Sequence, residues 1–188
     1  MEIKRDKYLQ QLIDYMWDGQ IKVITGIRRC GKSFLLNTLF RKYLLEQGVP
    51  QDNILSIALD LTKDIKYRNP LVLAEYVRNK VDGQAEQFYF FVDEIQMSDS
   101  VKNPYNPDGK PITFYDALND LRSINNIDVY VTGSNSKMLS KDILTEFRGR
   151  SDEIQVHPLN FVQGNRMKKN KEYVIIDQKE LVNDEKVF

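Results

Sequence analysis

Ile21-Lys22-Val23-Ile24-Thr25-Gly26-Ile27-Arg28-Arg29-Cys30-Gly31-Lys32-Ser33 decides the reading of this 188-residue chain. The β-branched run Ile21–Thr25 predicts a short strand. From Ser33 onward the apolar pairs Leu35/Leu36, Leu39/Phe40 and Tyr43/Leu44 recur at helical spacing, and Gly48 and Pro50 close the helix. Between strand and helix, Gly26 to Ser33 fills the pattern G-x-x-x-x-G-K-[ST] in full. A strand before that pattern and a helix after it are the context in which it binds phosphate.

The residue types follow from the chemistry of holding an anion. Gly26 and Gly31 allow the backbone to curl, so that the N–H groups of Ile27, Arg28, Arg29, Cys30 and Gly31 can point inward. The helix that begins near Lys32 adds the positive end of its dipole. Lys32 is placed to reach the β- and γ-phosphates of a nucleotide, and the Ser33 hydroxyl to ligate Mg²⁺. The side chains of Arg28 and Arg29 read as solvated, on the outer surface of the loop. Cys30 is the only cysteine. It reads as a small residue at a variable position rather than a redox switch, because the sequence supplies no resolving thiol.

Working outward, helical spacing covers 8–17, and Pro70–Val81 reads as a helix. A nearly all-apolar strand covers 54–59. Phe88-Tyr89-Phe90-Phe91-Val92 is apolar at every position, as expected of a strand covered on both faces of a parallel sheet. Residues 98–111 form a loop with three prolines and a glycine. A helix is expected over 112–124, a fourth strand over 128–132, a further helix over 136–147 and a short fifth strand over 154–156. Strands alternating with helices predict an α/β fold with a mainly parallel sheet.

Two strand ends carry further polar residues. Asp93 and Glu94 follow the aromatic strand directly, at the carboxyl edge where such sheets bind ligands. Asp93 is expected to hold Mg²⁺, and Glu94 to orient and deprotonate an attacking water. Thr132-Gly133-Ser134-Asn135 ends the fourth strand, and Ser134, ahead of Asn135, is the candidate for placing that water. In Arg148-Gly149-Arg150 an arginine reaching a γ-phosphate would stabilise transition-state charge, although a solvated basic turn fits equally well. His157 stands alone beside Pro158 and reads as structural.

Composition narrows the function classes. The 27 basic and 27 acidic side chains cancel, which argues against a chain built mainly to hold nucleic acid. The balance is uneven: residues 1–50 carry 9 basic against 5 acidic groups, and residues 51–150 carry 12 against 15. No apolar run approaches the ~18 residues of a membrane span. With one cysteine and no signal-type segment, the expected location is the cytoplasm. A small-molecule kinase would need an arginine-rich lid, and the candidate lid 98–111 has Lys102 and Lys110 but no arginine.

With these motifs in order, the sequence resembles the AAA-domain ATP-binding proteins of bacteria and archaea. The resemblance covers about residues 3–161 and is carried by KVITGIRRCGKS, FVDEIQ, VYVTGSNSKML and FRGR. It implies a three-layer P-loop NTPase fold of the AAA/ASCE type. The implied sheet is five-stranded and parallel, with another strand between the phosphate-loop strand and the acidic strand's far neighbours. It also implies ATP with Mg²⁺, nucleotide roles for Gly26 to Ser33, Asp93, Glu94 and Ser134, and a sensing or finger role for Arg148 or Arg150. Such domains usually continue into a nuclease-like second domain. After Phe161 this sequence departs from the pattern, so 1–161 reads as the ATPase domain and 162–188 as a short tail without that second domain. The tail holds a candidate strand at 172–176 and a basic cluster at Arg166, Lys168, Lys169 and Lys171. The expected function is Mg-dependent ATP hydrolysis. The alternative is a nucleotide-gated interaction module with little turnover, acting through a homo-oligomer or a protein partner.

Overall fold

The computed structural model describes residues 5–133, 147 and 149–158. Residues 136–146 of the helix expected over 136–147, Ser134, Asn135, Arg148 and the tail 162–188 lie outside the described residues. The elements in chain order are α1 (Asp6–Asp14), β1 (Ile21–Thr25), α2 (Lys32–Phe34), α3 (Arg41–Glu46), β2 (Ile54–Ala58), α4 (Pro70–Val81), β3 (Phe88–Asp93), α5 (Phe114–Leu121), β4 (Ile127–Thr132) and β5 (Ser151–Gln155). A π-helical segment, Leu35–Phe40, joins α2 to α3, so residues 32–46 form one rod with a widened middle.

The five strands form one sheet in the order β2-β3-β4-β1-β5, and every neighbouring pair is parallel. β4 therefore separates β1, which leads into the phosphate loop, from β3, which ends at Asp93. Strand alternation divides the apolar side chains between two layers. Phe88, Phe90, Val92, Val129 and Val131 face α4 and α5, against Leu73, Val77, Leu118 and Leu121. Tyr89, Phe91, Tyr130 and Ile24 face the other way, against Leu12 of α1 and Leu36, Leu39 and Phe40 of the rod. Helices cover both faces, and all six residues of β3 are buried. This is the expected three-layer α/β fold.

The local signals sit where the helices need them. Asn69 caps α4, its Oδ1 accepting from the backbone N–H of Leu71 at 2.9 Å, with Pro70 at the first helical position. Thr113 and Asp116 form a capping box at α5, which starts that helix two residues later than hydrophobic spacing alone suggests. β5 also differs from expectation. It begins at Ser151 rather than Ile154, because pairing with β1, from Ile21↔Ser151 to Thr25↔Gln155, defines an edge strand whose outer side chains are polar.

Lys22, the second residue of β1, is fully enclosed. Its three ammonium donors meet Asp128 Oδ1 at 2.7 Å, Asp18 Oδ1 at 2.7 Å and the Gln20 carbonyl at 3.1 Å. Asp128 also accepts from the Tyr130 hydroxyl at 2.7 Å and from the Trp17 backbone N–H at 3.0 Å. Burial, with Asp128 alongside, pushes the Tyr130 phenol well above its usual range and keeps it a donor. The network ties the amino ends of β1 and β4 to the turn after α1. Removing one partner strands a buried charge, so Asp128→Ala should destabilise the fold by about 3–5 kcal/mol in urea unfolding. The double variant Lys22→Met/Asp128→Leu should recover at least half of that loss.

Candidate functional site

The parallel register delivers three strand ends to the same sheet edge. Ile24 pairs with Thr132, and Ala58 with Asp93. Backbone hydrogen bonds continue past the strands, from Gly133 N–H to Ile24 O at 3.1 Å and from Val156 N–H to Thr25 O at 2.8 Å. The loop 26–31 therefore leaves a strand held on both sides and turns into α2 over a fixed platform.

Two glycines answer to real constraints there. Gly26 has φ +145°, and a Cβ at that position would collide with the Val156 carbonyl oxygen and the Cys30 sulfur. Gly31 has φ +93°, in the left-handed region, immediately before α2. Arg29 also takes a positive φ, 64°. Lys32 is only 4% exposed, and its ammonium donates to the Gly26 and Ile27 carbonyls, both at 3.1 Å. Ile27, Arg28 and Arg29 point outward to solvent, which for the two arginines is the arrangement read from the sequence. Cys30 is buried, a small side chain filling the floor of the loop.

Asp93 ends β3 and is buried. The fully enclosed Thr132 hydroxyl donates to Asp93 Oδ1 and accepts from the Glu94 backbone N–H at 3.1 Å. That bond helps to hold Glu94 at φ 57°, a left-handed conformation uncommon outside glycine, so its side chain leaves the strand on a different course from that of Asp93. The Gln96 amide donates to Glu94 Oε2. The sequence pointed to Thr132-Gly133-Ser134-Asn135 but chose Ser134. Among the described residues, Thr132 is the member that joins the two carboxylate-bearing residues.

Arg150 lies elsewhere. Its carbonyl accepts from Ile21 N–H at 3.0 Å, and the next residue, Ser151, pairs with Ile21. This is the amino edge of the sheet, about 16 Å of five-residue strand away from the loop. The parallel pairing of β5 with β1 therefore puts the Arg150 backbone at the sheet edge opposite the loop of its own chain. A small cavity of about 140 Å³ also opens at this amino edge, beside Trp17, Gln20, Arg122 and Asp128, and it is separate from the loop.

The oxygen donors suit a hard divalent cation. Among the described residues no group of three or more His, Cys, Asp or Glu side chains could hold a metal ion by themselves. A hydroxyl at Ser33 and a carboxylate at Asp93 match the way Mg²⁺ is usually held, by one or two protein oxygens together with substrate phosphates. The chemistry of these donors thus fits a cation that arrives with a nucleotide.

Arg5 was not visible from sequence. It is 7% exposed, and Nη2 donates to the Cys30 carbonyl at 2.7 Å. Thr132 and Arg5 each lack a motif of their own, whereas an isolated lysine within the apolar run of β1 was a signal that could have flagged the Lys22 network.

Comparisons with known proteins agree with this fold. A family model described as "AAA domain" matches residues 18–165. An uncharacterized protein of Haemophilus influenzae is 35% identical over 159 residues, covering 85% of this chain and 36% of that protein. An uncharacterized protein of Methanocaldococcus jannaschii is 30% identical over 171 residues, covering 87% of this chain and 33% of its own length. The chain thus spans about a third of the length of these curated relatives. Among solved structures, C. elegans PCH-2 superposes with a TM-score of 0.57 at 12% identity, covering 94% of this chain and 51% of that one. A DNA polymerase III gamma subunit-related protein of Thermotoga maritima gives 0.54 at 8% identity, covering 94% and 49%. These structural likenesses concern the fold. Among the described residues no helix is long and apolar enough to cross a membrane.

Thr132→Val keeps the shape but leaves the Glu94 N–H without its acceptor, so it should cost about 1–3 kcal/mol in urea unfolding. Thr132→Ser retains the hydroxyl and should cost clearly less.

Proposed function

The chain belongs to the AAA-domain family, and from that premise we propose that it binds ATP with Mg²⁺ and hydrolyses it at the carboxyl edge of the sheet. The observation that carries this reading is the meeting of two groups at one edge. One is the loop that encloses Lys32, and the other is the Asp93/Glu94 pair tied together through Thr132.

In this reading the N–H groups from Ile27 to Ser33 cradle the phosphates. Lys32 exchanges its bonds to the Gly26 and Ile27 carbonyls for β- and γ-phosphate oxygens. The Ser33 hydroxyl and Asp93 would hold Mg²⁺, which would supply positive charge to offset that of the phosphates. Glu94 accepts a proton as the oxygen of a water molecule bonds to the γ-phosphorus. The bond to the β–γ bridging oxygen breaks, and ADP and inorganic phosphate leave. Ser134 helps to place the water. Residues 1–161 form the ATPase module of a cytoplasmic protein, and 162–188 follow it as a tail.

Two observations favour slow turnover by an isolated chain, and with it a nucleotide-gated interaction module. Gln96 engages the Glu94 carboxylate, and Arg150 sits at the far edge with its side chain exposed. Arg150, or Arg148, would therefore serve a neighbouring copy or yield its role to a partner protein.

Phosphate release with MgATP tests the enzyme reading. Glu94→Gln should keep ATP affinity within a few fold while lowering kcat by about 10²-fold or more. Lys32→Ala should lose binding. A wild-type protein that binds ATP yet releases phosphate no faster than Glu94→Gln would overturn hydrolysis and leave the gated module.

A further inference from the structure

The phosphate loop does not hold its shape alone, because one of its peptides is tied to a residue that precedes the first helix. Arg5 is buried among loop backbone, and its two terminal nitrogens are shared between two carbonyls. Nη2 donates to Cys30 O at 2.7 Å and Nη1 to His157 O at 2.9 Å. The Tyr8 ring lies under the guanidinium, with its centroid 5.5 Å from Cζ, and the Tyr8 hydroxyl accepts from His157 N–H at 3.2 Å. Nη2 is also 3.5 Å from where a Gly31 Cβ would stand.

A peptide unit is planar and trans, so its C=O and N–H point in opposite directions. Holding Cys30 O on Arg5 therefore sends the Gly31 N–H away from the guanidinium. Without that tie, the Cys30–Gly31 peptide can turn about ψ of Cys30 and φ of Gly31, and the glycine, already at φ +93°, resists that rotation little. A buried guanidinium is costly, and burial draws the Arg5 pKa down from its ordinary value despite the opposing influence of Tyr8 and Cys30. The cost is met by fixing two backbone segments that must face each other, the loop and the exit from β5.

We propose that Arg5 is a positioning residue of the phosphate loop, orienting the Cys30–Gly31 peptide so that the Gly31 N–H faces the bound polyphosphate, and locking the loop to the chain at His157. This rests on the reading of the loop as a nucleotide site. Arg5 touches no reacting atom in this scheme. Its effect is pre-organisation, so it should appear in affinity and leave the chemical step nearly alone. A lysine keeps the charge but lacks the planar fork that reaches both carbonyls, which separates orientation from electrostatics.

The test uses the full chain with MgATP as probe, and the ¹H–¹⁵N resonance of Gly31 as a readout without nucleotide. Arg5→Lys and Arg5→Gln should each weaken the ATP Kd at least tenfold, with kcat at saturation within threefold of wild type. In both, the nucleotide-free Gly31 amide should shift and exchange faster with solvent. Methylguanidinium should restore part of the affinity of Arg5→Ala. The proposal is overturned if folded Arg5→Lys and Arg5→Gln keep both the wild-type Kd and the wild-type Gly31 resonance, or if kcat falls while Kd holds. If wild type itself fails to bind ATP, the functional reading fails, and the Gly31 resonance still decides whether Arg5 orients the peptide.

Discussion

A loop that turns its N–H groups toward an anion must dispose of its carbonyls on the other side. Each buried carbonyl without a partner would cost about as much as a lost hydrogen bond. Here the carbonyls are satisfied by four separate devices. Gly26 O and Ile27 O receive the Lys32 ammonium, Ile27 O also receives Cys30 N–H, Cys30 O receives Arg5, and Gly31 O accepts the Leu35 N–H that opens the rod. The partners come from the residue before α1, from the loop itself and from the start of the rod. Much of the remaining architecture exists to bring these donors to one place. β1 must be interior so that the loop springs from a fixed point, and β5 must pair beside it so that Val156 and His157 can wall the loop.

The fold was legible where burial is symmetrical. FYFFV reads as a strand covered on both faces, and the β-branched run before Gly26 with the apolar pairs after Ser33 reads as strand, loop and helix. Legibility failed where backbone pairing, rather than side-chain burial, decides. Ser151, Asp152 and Glu153 look like a polar turn because an edge strand need not bury them, and only the ladder with β1 reveals the strand. The π-helical middle of the rod was also invisible, since Leu35 to Phe40 satisfies helical spacing in either form.

The candidate site divided along similar lines. Residues whose role depends on type and spacing, such as Gly26, Lys32 and the adjacent Asp93 and Glu94, were read directly. Residues whose role depends on tertiary contact were not. Thr132 lies 39 positions from Asp93, and Arg5 lies 25 from Cys30, so no local pattern links either pair. Arg150 shows the converse: from sequence a finger and a solvated turn fitted it equally, and only the parallel pairing of β5 with β1 puts its backbone at the sheet edge opposite the loop.

The two edges of the sheet have taken opposite solutions to the problem of buried charge. At the amino edge Lys22 has an acceptor for each donor, a closed arrangement with nothing left to offer a ligand. At the carboxyl edge Lys32 is equally enclosed but is held by two neutral carbonyls of a curled loop, which an anion with full charges can outcompete. That contrast separates a lysine that specifies the fold from one that can exchange partners, though both sit on or beside the same strand. Acidic groups neutralise the lysine that stays in place, and the loop lysine keeps its positive charge for an anion.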